Sequence, residues 1–223
     1  MLVDQPEHWP ITAHQVLASG AIAQFNADTI LAPSGEQLRR QYLTHPGSVA
    51  IIAYDAVGRV AVIDQYRHAI AMRMIEPPAG LLDVAAENPL DAAKRELAEE
   101  VGLAAATWNV LADFYSSPGI SQETSRIYLA RGLSNVGRPK DFVAAGEEAE
   151  MSLAWVPLTE LLQGIRAGTL ENPALIIGCL SLSAALSDEC GLGGLRPGDA
   201  PWPMRRNKLH QDAVLAAGSI NDK

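Results

Sequence analysis

"ENPLDAAKRELAEEVGL", residues 87 to 103, frames a helix and loads it with carboxylates. Asn88 can cap, Pro89 suits the first helical position, Asp91 sits three past the cap and Gly102 suits a left-handed stop. Local chemistry alone therefore predicts a helix over 89–101. At about 100° per residue, Leu90, Ala93, Leu97 and Val101 form a stripe that faces a sheet, while Glu96, Glu99 and Glu100 fan out along the flank beside it. Most helical charge runs are solvated faces, and such faces usually mix signs between turns. Here Glu96 and Glu100 are one turn apart with Glu99 between them, and no cation is expected at matching spacing. Repulsion of that kind has to be neutralised. A hard divalent cation such as Mg²⁺ takes carboxylate oxygens, keeps several waters and bridges to substrate phosphates, so the cluster suits a metal-assisted phosphate site.

Strand signals flank this helix on both sides. Upstream, "SVAIIAYDAVGRVAVIDQYRH", residues 48–68, holds two apolar runs around Asp55 to Gly58 and reads as a hairpin that starts the main sheet. Downstream, "TWNVLADFYSS" and "SRIYLARGL" supply further strands, and "EMSLAWVPL" a last strand running into a helix at about 158 to 166. "NPALIIGCLSLSAAL" reads as another helix, with Asn172 as cap and Pro173 at its first position. Residues 13 to 44 read as short strands broken by turns such as "APSGEQ". From Asp188 on, the Gly- and Pro-rich "DECGLGGLRPGDAPWPMRRNK" breaks regular structure, with a short helix at 208–217. The expected organisation is an α/β fold: a β extension over 1–46, a main domain over 47–187 and a tail over 188–223.

Bulk composition narrows the partners. The chain has 223 residues, 48% of them apolar, enough for a sizeable core. A formal charge of -9 repels phosphate backbones and anionic lipid, which argues against nucleic acid and membrane surfaces. The longest apolar stretch, Ala174 to Leu186, is shorter than the roughly 20 residues that span a bilayer. Asp4 and Glu7 precede no apolar run of a signal peptide, and Cys179 and Cys190 read as reduced thiols, so the expected location is cytoplasmic.

Gly80, Glu87 and "RELAEEVGL" from Arg95 together resemble the Nudix box. That pattern is Gly, five residues, Glu, seven residues, then Arg-Glu-apolar-any-Glu-Glu-any-Gly-apolar. The one departure is six residues between Gly80 and Glu87 instead of five. "QYRH" at 65–68, "EPPAGLLD" at 76–83 and "SSPGISQE" at 116–123 extend the likeness, and Pro118 lies near a marker proline of the ADP-ribose pyrophosphatase group, most similar to its actinobacterial type.

The resemblance implies a Nudix α/β/α sandwich with a mixed β-sheet and an N-terminal β extension. It implies Mg²⁺-dependent hydrolysis of ADP-ribose to AMP and ribose 5-phosphate, with Mn²⁺ as a possible replacement. Carried over by position, the metal ligands are Glu96, Glu99, Glu100 and the backbone carbonyl of Ala79, with Glu99 also counted as catalytic. Glu87 and Arg95 orient the ligands. The general base comes from the acidic segment Glu147, Glu148 and Glu150, where Glu148 is the choice and Glu150 an alternative ligand. Arg67, Leu81 and Glu123 are expected to bind substrate. Phe25 is the aromatic available to stack adenine, although a lone phenylalanine more often belongs to a core. A homodimer formed through the N-terminal strands is also implied. Two other functions stay open: a Nudix pyrophosphatase for another nucleoside diphosphate derivative, and a sensor that binds ADP-ribose without cleaving it.

Overall fold

The computed structural model describes residues 2–140, 146, 150–203 and 205, which divide into two compact units. The larger unit runs over Ser48–Phe114 and Ser125–Ala200. The smaller takes the described residues of 1–47, 115–124 and 201–223.

The larger unit is built on a mixed sheet. Strands β4 (Ser48–Ala53), β7 (Ala79–Leu81), β8 (Leu103–Tyr115), β9 (Thr124–Asn135) and β11 (Arg196–Pro197) lie in the order β11-β8-β9-β4-β7. β4 runs parallel to β9 and antiparallel to β7. A second sheet has the order β10-β5-β6, from β5 (Arg59–Arg67), β6 (Met72–Glu76) and β10 (Ser152–Pro157).

Helix α1 (Pro89–Val101) packs on β4 and β7. Helices α2 (Leu158–Ala167) and α3 (Pro173–Ser187) pack on each other and reach β10, β4 and β6. Side chains alternate across a strand. Ala50 and Ile52 of β4 therefore join Val60, Val62, Ile127, Leu161, Leu175 and Leu182 in the core beneath α2 and α3, and Val49 and Ile51 turn to the opposite face. The result is the helix-sheet-helix layering of an α/β fold, as expected. Gly178 of α3 belongs to this packing, since a Cβ there would lie 2.6 Å from Ile52.

The hairpin expected over 48–68 does not form as one ladder. β4 and β5 enter different sheets and share only the isolated bridge Tyr54–Val60. Both edges of each strand are already taken, β4 by β9 and β7, β5 by β10 and β6. The burial pattern shows why the alternation misled: five successive residues of β4 are buried, as in a strand covered on both faces.

The tail also holds more order than expected. A 3-10 turn at Gly191–Gly194 leads into β11, which adds an edge strand to β8. Asp113 fixes it by accepting from both Arg126 and Arg196. The helix expected at 208–217 lies outside the described residues.

The smaller unit is an antiparallel sheet, β1 (Ile11–Ser19), β2 (Gln24–Leu31) and β3 (Gln37–Thr44), with β2 in the middle. Asp28 of β2 is buried and bonded to a neighbour on each side: 2.6 Å to His14 Nδ1 and 3.0 Å from the Tyr42 hydroxyl. Burial, then the Asp28 charge, pushes the Tyr42 hydroxyl well above its usual range. No helix among the described residues is long and apolar enough to cross a membrane.

Candidate active site

Helix α1 starts and stops where its sequence dictates. Asn88 Oδ1 accepts from the backbone N–H groups of Leu90 and Asp91, both at 3.0 Å, and Gly102 ends the helix at φ 67°. Ala93, Leu97 and Val101 are buried as the stripe requires, joined by Ala92 and by one carboxylate, Glu100. Glu100 is thus not on the flank with its neighbours. It points toward the sheet, only 6% exposed, and its Oε2 accepts the Ala79 backbone N–H at 2.9 Å. A buried carboxylate needs such a partner.

Arg95 organises the other three acids. Its Nε and Nη2 donate to the two oxygens of Glu87 at 3.0 and 3.1 Å, and its Nη1 to Glu96 at 2.7 Å and Glu99 at 2.9 Å. The expectation that no cation stands at matching spacing is therefore corrected: Arg95 lies one turn before Glu99, at i,i+4. Bonding to Glu87, reinforced by Glu96 and Glu99 and opposed by desolvation, pushes the guanidinium pKa further up, so it carries its charge at any working pH.

The six residues between Gly80 and Glu87 do not disturb this arrangement. The loop tightens at Ala86, whose φ is 65°, and the Glu87 N–H returns to the Val84 carbonyl at 3.3 Å. Glu87 thereby keeps its place beneath Arg95.

Gly80 itself has a steric role. A Cβ built on it would lie 2.0 Å from Glu96 Oε1 and 2.1 Å from its Cδ. The carboxylate of Glu96 occupies the space that a side chain on β7 would fill, which presses the acidic face of α1 against the strand that carries Ala79.

Beside these, Arg67 at the end of β5 forms a forked pair with Glu76 of β6, its Nε 2.9 Å from Oε1. Glu76 is 2% exposed, whereas the Arg67 side chain is 43% exposed, so a buried acid aims a half-open guanidinium. Sequence reasoning missed Glu76. The strand register sets Glu76 opposite Ile63 and Arg67 opposite Met72, so the pair is closed by the long guanidinium side chain and carries no spacing signal in the sequence.

Leu81, half-buried, ends β7 opposite Ser48. Glu123 belongs to the smaller unit, where its N–H bonds the Ser121 hydroxyl beyond the turn that holds Pro118. Phe25 is half-buried on β2. Glu147 and Glu148 lie outside the described residues, while the Glu150 carbonyl accepts from Arg73 at 2.9 Å.

Among the described residues, no three His, Cys, Asp or Glu side chains are placed to hold a metal ion as they stand. Glu96 and Glu99 turn to Arg95, and Glu100 to a backbone N–H. The donor chemistry nonetheless fits a hard cation: carboxylate oxygens from adjacent turns, seated on a glycine cradle, with Glu87, Glu96 and Glu99 sharing the single guanidinium of Arg95.

The description of the NUDIX domain matches residues 44–173, more than half of the chain. The chain belongs to the Nudix family. This Nudix protein is 43% identical over 188 residues to an ADP-ribose pyrophosphatase of Mycobacterium tuberculosis (strain ATCC 25618 / H37Rv), across 84% of this chain and 88% of that protein. It is 31% identical to a methanol dehydrogenase activator of Bacillus methanolicus, across 75% and 90%. A solved structure of an ADP compounds hydrolase superposes with a TM-score of 0.65, covering 83% of this chain and 97% of that one. At 18% identity that likeness concerns the fold.

Proposed function

We propose that this Nudix protein hydrolyses the pyrophosphate of ADP-ribose, releasing AMP and ribose 5-phosphate, with Mg²⁺ as its cation and Mn²⁺ as a substitute. The observation that carries the reading is the acidic face of α1, pressed on Gly80 and organised by Arg95. The 43% identity to an ADP-ribose pyrophosphatase supports the substrate.

In this reading Glu96, Glu99 and Glu100, with the carbonyl of Ala79, hold the divalent ion. When bound, such an ion offsets diphosphate charge and lowers the pKa of a coordinated water. Glu87 fixes Arg95, and Arg95 fixes the orientation of Glu96 and Glu99. Arg67, aimed by Glu76, meets a phosphate oxygen, and Leu81 binds substrate beside it; Glu123, on the smaller unit, is a substrate contact in its own right. Glu148 takes the proton of the attacking water.

The protein works as a cytoplasmic homodimer, and the Trp9, Val16, Ile22 and Leu43 side chains exposed on the smaller unit suit a partner surface. Chromatography of ADP-ribose incubated with protein and Mg²⁺ tests the activity. AMP and ribose 5-phosphate are the expected products. Slow ADP-ribose turnover beside fast cleavage of another nucleoside diphosphate derivative would reassign the substrate, and binding without AMP release would refute catalysis.

A further inference from the structure

The C-terminal end of α1 is electrostatically its weak end. A helix presents partial negative charge there and favours cations in its last turn. This helix has no basic residue in that turn and instead carries Glu99 and Glu100. Its own sequence thus opposes the turn that bears two of the proposed ligands.

The compensation comes from the segment that follows β9. Val136 N–H and Gly137 N–H both donate to the Gly102 carbonyl, at 2.9 and 3.1 Å. Gly137 N–H is shared with Asn135 Oδ1 at 3.0 Å, which shapes the turn, and Gly137 adopts φ 71°. A Cβ on Gly102 would lie 3.2 Å from Gly137 C and 3.3 Å from Arg138 N, so the two chain segments are in close approach. Arg138 Nη2 then donates to the Glu100 main-chain carbonyl at 2.6 Å. Glu100 is therefore held twice, at its side chain by Ala79 N–H and at its carbonyl by Arg138.

We infer that Arg138 is a positioning residue: it supplies from outside the helix the cation that the last turn of α1 lacks, and so fixes Glu99 and Glu100 in their ligand orientation. This inference rests on the metal-binding reading above, but part of its test does not. The role assigned to Arg138 needs no contact with the substrate or the reacting atoms. It acts through one main-chain carbonyl and the dipole behind it.

Arg138→Ala and Arg138→Lys are compared with the unaltered protein by amide hydrogen exchange and by Mn²⁺ binding followed by electron paramagnetic resonance. For the alanine variant, exchange at residues 99–103 is expected to quicken about tenfold, the loss of one charge-assisted hydrogen bond. Mn²⁺ affinity is expected to fall about tenfold, as when a group supporting metal ligands is removed. Lysine restores the charge and is expected to recover most of both effects. Unaltered exchange at 99–103 in the alanine variant overturns the inference, as does equal acceleration throughout α3, which marks a general loss of structure. An unchanged Mn²⁺ isotherm beside faster local exchange overturns the link to the ligands. Should the unaltered protein bind no Mn²⁺, the metal reading fails, and the exchange rates alone decide whether Arg138 holds the turn.

Discussion

Replacing Gly80 by alanine separates site geometry from stability. The φ of Gly80 is not in the left-handed region, so β7 accepts an L side chain without backbone strain. The new Cβ would instead sit 2.0 Å from Glu96 Oε1. To regain a separation of about 3.5 Å, Glu96 has to retreat by about 1.5 Å. The clash reaches back to Glu96 Cγ at 2.3 Å, so the whole side chain beyond Cβ has to change rotamer, at a cost of about 0.5–1.5 kcal/mol. Catalysis responds more sharply, because a misplacement of about 1 Å at the reacting geometry costs about 100-fold. Thermal melting and AMP release from ADP-ribose are measured on the same preparation. The expected result is a melting temperature within a few degrees of the unaltered protein and turnover lower by about 100-fold. Unaltered turnover would refute the argument that the Gly80 cradle places Glu96. A collapse of the melting temperature would show that the backbone, not Glu96, absorbs the clash.

Glu100→Gln keeps an oxygen for the Ala79 N–H, so urea unfolding should change by less than about 1 kcal/mol while AMP release falls by about 100-fold. Glu100→Ala leaves that N–H without its carboxylate partner and is expected to cost about 1–3 kcal/mol in the same unfolding measurement. Arg126 is 2% exposed and bidentate on Asp113, so Arg126→Ala should destabilise by about 3–5 kcal/mol, against less than about 1 kcal/mol for Arg196→Ala at the half-open partner, both read by urea titration. Burial pushes the Cys179 thiol up to about 12, so at pH 8 it stays protonated and unreactive. Maleimide should therefore label Cys190 alone in the folded protein and both cysteines in urea, which mass spectrometry will distinguish.

The helix that carries the site was legible residue by residue. Asn88, Pro89 and Gly102 act through local backbone chemistry, which needs no knowledge of the rest of the chain. The same holds for α3 with Asn172 and Pro173. What escaped the sequence depends on distant pairings. The alternation in 48–68 could not disclose that β4 and β5 each had two partners elsewhere. Glu100 looked like a flank acid because the Ala79 N–H that donates to it lies 21 residues away. Glu76 and Arg138 were likewise invisible: one meets a guanidinium carried four residues along β5 from its own register partner Ile63, the other a carbonyl 38 residues upstream. The Arg95 to Glu99 pair is a local i,i+4 contact and was legible in the sequence.

The parallel pairing of β4 with β9 has a consequence during synthesis. Ser48 meets Ser125 across 77 residues of chain, so β4 leaves the ribosome long before its neighbour β9 exists. Until β9 emerges, the Val49–Ala53 run keeps an unpaired edge, the kind of surface that chaperones shield and that aggregates when they do not. The carboxylate helix is complete by residue 101, yet the floor beneath it is finished only by a strand still to be translated.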